Sequence, residues 1–149
     1  MAWLSGHPER GELPTGHHLR PIRADDVDID YPAVMGSRKR LWAKYGEFWG
    51  WPPADMSYED DRLDLARHER EIAAHETYNY AVLDAGETEL LGCVYIDPPD
   101  ERAPAGADAM VSWWVVDAHH LGALERALDE FVPCWLAEVW GFQTVFYAP

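Results

Sequence analysis

The chain has 149 residues, 48% of them hydrophobic, enough for one domain with an ordinary core. Its 27 acidic and 12 basic residues leave a net charge of −15, which argues against broad contact with nucleic-acid phosphates or anionic lipid and favours cationic or neutral partners. No apolar run approaches bilayer length, and the opening Met1-Ala2-Trp3-Leu4-Ser5 lacks the basic-then-apolar build of a signal peptide, so a cytoplasmic protein without a membrane partner is expected.

Residues 1–16 mix Gly, Pro, Glu and His with little periodicity and read as a flexible lead-in to a single domain over 17–149. His18 to Arg23 alternates as a strand, and Pro21 assigns it to an edge. Val27 to Tyr45 reads as a helix broken by Pro32 and weakened by Gly36. Glu47-Phe48-Trp49-Gly50-Trp51-Pro52-Pro53 is an aromatic loop. Ser57 and Asp60 form a capping box that opens a charged helix to about Thr77, with Leu63, Ala66, Ile72 and Ala73 as its apolar stripe and its charges as solvated surface.

Three strands follow: Tyr78 to Leu83, Leu90 to Ile96, and Ala109 to Val116. Turn residues Asp84 to Glu87 join the first two as a hairpin, so an antiparallel meander is expected. His120 to Trp140 reads as the last helix, carrying Leu121, Leu124, Leu128, Phe131, Trp135 and Val139 at helical spacing, with Pro133 inside and Gly141 as its stop. Thr144 to Tyr147 is a final short strand, whose exposed edge makes a homodimer a further expectation. Cys93 and Cys134 lie outside any CxxC spacing and read as buried thiols. His17, His18, His68, His75, His119 and His120 lack carboxylate or thiol partners at metal-ligand spacing, so no metal is expected.

This order of elements resembles the GNAT N-acetyltransferase family, from about residue 17 to the end. His18-Leu19-Arg20-Pro21-Ile22-Arg23 is similar to the family's opening strand, and Gly92-Cys93-Val94-Tyr95-Ile96 to a later one. The strand with Trp113-Trp114-Val115-Val116 is similar to the one that pairs with the pantetheine arm, and the helix from Leu121 to the one under the pyrophosphate. The resemblance implies an α/β domain with a mixed, mainly antiparallel sheet of about five strands flanked by helices. It also implies transfer of acetyl from acetyl-CoA to the amine of a small molecule or protein.

The resemblance places the cofactor on Val115, Val116, His119, His120, Leu121, Gly122 and Ala123. Against the family's Arg/Gln-x-x-Gly-x-Gly/Ala, however, His119-His120-Leu121-Gly122-Ala123-Leu124 keeps one glycine. Leu124 is expected to crowd the approach of phosphate, and Asp117 to repel it. The family's segment beyond the last strand has no counterpart here, so the chain reads as a shortened member. For the general base the candidates are Glu47, Asp97, His75 and His68. For the acceptor, Trp42, Tyr45, Trp49 and Trp51 offer aromatic faces to an ammonium group. The alternative is a non-catalytic module of the same fold that binds a cationic ligand or a protein.

Overall fold

The computed structural model describes residues 2–149. Six strands lie in the order β1-β2-β3-β4-β5-β6. They are β1 (Gly11–Glu12), β2 (His18–Pro21), β3 (Tyr78–Leu83), β4 (Leu90–Asp97), β5 (Ala109–Val115) and β6 (Val145–Tyr147). Every neighbouring pair is antiparallel except β5 and β6. A parallel pair needs a crossover, and α4 (Ala123–Trp135) supplies it. The sheet is one strand larger than expected, because Gly11–Glu12 extends its edge.

Side-chain alternation along β4 and β5 divides the core between two faces. Cys93, Tyr95 and Ser112 face α1 (Val27–Gly36), α2 (Arg38–Trp49) and α3 (Tyr58–Ala73), as the 2.7 Å bond between the Tyr45 hydroxyl and Ser112 Oγ attests. Tyr80 and Trp113 face α4, where Tyr80 packs on Trp135 and Trp113 Nε1 donates to Asp129 at 3.0 Å. Gly92 is dictated by the crossing of β4 and β5, since a Cβ there would lie 2.1 Å from the Trp114 carbonyl oxygen.

Several expectations need correction. Pro32 lies inside α1 without breaking it, and the break falls beside Gly36, the other expected weak point, at Ser37, whose Oγ accepts the Asp117 amide at 2.9 Å. In α3 the buried positions are Asp61, Leu65 and Ile72, while Leu63 is exposed. The last helix is shorter than its hydrophobic pattern: α4 starts at Ala123, after the exposed Leu121, and ends at Trp135, where it widens into a π turn over Leu136–Trp140 that carries the exposed Val139. Cys93 is buried but Cys134 is exposed.

The segment expected as a flexible lead-in is packed. Trp3 stacks on Phe142 with ring centroids 5.7 Å apart, Leu13 is in the core, and the Pro8 carbonyl accepts the Tyr80 hydroxyl. Its apolar residues follow no helical or strand period, so the pattern alone gives no sign of burial.

Candidate functional site

Two cavities flank the centre of the sheet. The first, of about 430 Å³, lies between the α1–α3 layer and strands β3 and β4. The second, of about 440 Å³, follows the free edge of β5. Tyr95 faces the first, while Ser112 and Trp114 face the second. Trp114 Nε1 donates to the Tyr95 hydroxyl at 2.8 Å, and the Tyr45 hydroxyl meets Ser112 at 2.7 Å, so a hydrogen-bonded partition separates the two spaces.

The second cavity exists because β6 accompanies β5 only from Ala109 to Val111. Beyond that fork, residues Ser112 to Val115 have β4 on one side and no strand on the other. Val116 gives its amide to the Leu91 carbonyl, and Val111 accepts from Ala148. By alternation, Trp113 and Val115 turn their backbone groups to the free edge and Val116 does not. The expected pair therefore reduces to Val115, whose carbonyl already accepts from Arg40 Nη2.

The expected anion cradle is displaced as well. The amides of His119, His120 and Gly122 close internal turns onto the carbonyls of Val116, Asp117 and His119. The Leu121 amide donates to Glu125 Oε1 at 3.0 Å, and His120 Nδ1 lies 3.3 Å from the same oxygen. The first-turn amides of α4, on Ala123, Leu124 and Glu125, have no capping side chain. Leu124 does not crowd them, because its side chain points into the core, where it is 1% exposed. Asp117 is bound by Arg40 Nε at 2.8 Å, which offsets its charge. The residues thus fit a diphosphate at the start of α4 and an extended arm along β5, with the Glu125 carboxylate as the competing anion.

The first cavity is acidic and aromatic. Asp30 and Asp61 meet on its wall, and burial, reinforced by the neighbouring carboxylates, pushes both carboxyl groups above their usual range. Asp97 reaches about 7, chiefly through burial and then through Glu71. Burial holds His68 below its ordinary value. Arg67 is committed to Asp64 at 2.6 Å and Glu71 at 2.8 Å. Trp51 Nε1, Asp61 Oδ2, His68 Nδ1 and Asn79 Oδ1 are buried atoms without a hydrogen-bond partner, and all four belong to residues lining this cavity. Such a concentration of unmet donors and acceptors marks a surface shaped for a polar ligand.

Among the expected acceptor residues, Trp49 and Trp51 line this cavity. Tyr45 stands behind them, stacked on Trp49 at 4.7 Å, while Trp42 is exposed and lies under Arg38. Among the expected bases Asp97 and His68 are on the lining. Glu47 is exposed, and His75 meets Tyr78 at 3.1 Å beside the N-terminal segment, its carbonyl taking the Trp3 amide. Sequence reasoning missed Asp30, Asp61 and Asn79. The spacing of Asp61, Leu65, His68 and Ile72 on one helical stripe is the signal that could have found Asp61.

No model of a known protein family and no curated relative matches the sequence. Solved structures do match. The ribosomal-protein-S5-alanine acetyltransferase of Vibrio fischeri superposes with a TM-score of 0.66 at 16% identity, over 93% of this chain and 72% of that one. RimL, a ribosomal L7/L12 alpha-N-protein acetyltransferase in complex with coenzyme A, gives 0.68 at 14% identity over 88% and 70%. A GNAT-family acetyltransferase of Bacillus anthracis gives 0.61 at 12% identity over 91% and 70%. The forked sheet, the crossover helix and these superpositions together identify the fold of this chain as that of the GNAT acyl-CoA N-acyltransferases.

Proposed function

We propose that this chain transfers an acetyl group from acetyl-CoA to a primary amine held in the acidic cavity. The observation that carries the reading is Asp97, a carboxyl group with a pKa of about 7 on the wall of a cavity lined by Trp49, Trp51 and Tyr95. A base poised near neutral pH takes a proton from an ammonium group efficiently, and the aromatic faces hold the cation while it waits.

When bound, acetyl-CoA supplies the acylating carbonyl. The residues that would hold it are the β5 edge at Trp113 and Val115 and the α4 amides from Ala123 to Glu125. Arg40 and Lys44 flank that edge with positive charge. Asp97 accepts the proton of the amine, and Tyr95 and Trp51 keep water from it. Reacting atoms must come within about 3–3.5 Å, so catalysis includes a movement of the partition made by Tyr45, Ser112, Trp114 and Tyr95.

The net charge of −15 favours a cationic acceptor, a small polyvalent amine or a basic protein segment, over any nucleic acid. No helix among the described residues is long and apolar enough to cross a membrane, in keeping with action in the cytoplasm. A second copy meeting the β6 edge remains part of the proposal.

The test is release of free thiol from acetyl-CoA by the full chain, followed with and without a panel of primary amines. Amine-dependent release is the expected result. Absence of both turnover and acetyl-CoA binding at millimolar concentration overturns the reading in favour of a non-catalytic module.

A further inference from the structure

Resting on that reading, we propose that the Asp30–Asp61 end of the acidic cavity is a second cation subsite, so that the acceptor is a linear aliphatic polyamine held at both ends.

The argument begins with two acceptor atoms that the protein leaves unmet. Asp61 is 1% exposed and Asn79 2% exposed, and Asp61 Oδ2 and Asn79 Oδ1 have no partner. Buried acceptors without donors are costly, and these two belong to residues that line the same cavity, from α3 and from β3. An ammonium group carries three donors, enough for Asp61 Oδ2 and for further oxygens beside it, while Asn79, opposite Tyr95 in the register, lines the middle of the cavity.

The protein has no cation of its own for this end. Among the described residues, no lysine or arginine forms an ion pair with Asp30 or Asp61, and Arg67 is taken up by Asp64 and Glu71. Asp30 faces Asp61 and Asp64 from α3, Asp26 from the turn before α1, and Cys93 from β4, a set without a positive charge. Burial raises both carboxyl groups, so an ammonium that binds there competes with a proton.

The two acidic ends are set apart along one strand. Asp30 and Asp61 act on Cys93, whereas Glu71, Arg67 and Asp100 surround Asp97, four residues further along β4. At about 3.3 Å per residue, Cys93 and Asp97 lie roughly 13 Å apart along the strand. Between them lie Trp49, Trp51 and Tyr95, with Trp49 and Tyr95 edge to face at 5.1 Å. These apolar faces suit a run of methylenes, and neither end suits an anion.

The experiment is isothermal titration calorimetry of the full chain with α,ω-diaminoalkanes from diaminobutane to diaminodecane and with octylamine as the single-charge control. Affinity is expected to peak near diaminooctane, at about tenfold over octylamine, with proton release seen as a dependence on buffer ionisation heat. Asp61→Asn, and independently Asp30→Asn, should bring diaminooctane down to the octylamine level. Equal binding of diamine and monoamine, no length optimum, or unchanged diamine binding in both variants overturns the subsite. The readout is binding and not turnover. A diamine preference without acetyl transfer defeats the transferase reading and keeps the subsite, whereas transfer to monoamines without a diamine preference does the reverse.

Discussion

Asp97 carries the sharpest prediction at the scale of single residues. Asp97→Asn should lower kcat/KM by about 10²–10⁴ and remove the limb of the pH–rate profile that rises through about 7, measured with saturating acetyl-CoA. Glu125 predicts the opposite sign for binding. Its carboxylate sits on the Leu121 amide beside the open start of α4, so Glu125→Gln should tighten coenzyme A about two- to fivefold in a fluorescence or calorimetric titration at low salt. The Asp30–Asp61 pair bears on stability. Carboxyl groups whose folded pKa exceeds the unfolded value near 3.8 bind more protons in the native state, so their penalty is absent below that pH and grows as pH rises through the folded value. Asp61→Asn should therefore raise Tm at pH 7 by about 2–4 °C, or ~1 kcal/mol, and leave it nearly unchanged at pH 4. Asp97 was legible as an acid at a strand end, and Trp49 and Trp51 as a pocket-lining pair. Asp61 was not, because a charged side chain on an amphipathic helix reads as solvated until a neighbouring helix covers it.

Individual elements were written locally with varying clarity. The start of α3 is explicit: Ser57 Oγ accepts the Asp60 amide at 3.0 Å and the Asp60 carboxylate accepts the Ser57 amide at 3.0 Å. Ser57→Ala should cost about 1 kcal/mol, a fall of roughly 2–4 °C in thermal unfolding, without altering ligand binding. The break between α1 and α2 was harder to place, since Pro32 is the stronger helix breaker by propensity. The structure keeps Pro32 within the helix and breaks at Ser37, where a tertiary bond to Asp117 fixes the turn. The end of α4 follows the same rule. Hydrophobic spacing continues to Val139, but the π turn after Trp135 rotates that residue to solvent.

Across the whole molecule, the N-terminal segment completes the core instead of trailing from it. Trp3 packs against Tyr78 and Phe142, so Trp3→Ala should destabilise by about 2 kcal/mol and lower Tm by about 4–8 °C while leaving the cavities intact. The same scale explains what could and could not be read in advance. The amino-acid pattern by itself determined the order of strands and helices, the β3–β4 hairpin and the acidity of the surface, because these depend on neighbours within a few residues or on composition. Only the tertiary structure decided where β5 and β6 part, that the amides from His119 to Gly122 are spent internally, and that acids from α1, α3 and β4 converge on one cavity. Each of these joins groups distant along the chain, and a carboxylate has a different chemistry in water than between packed elements that shed its hydration.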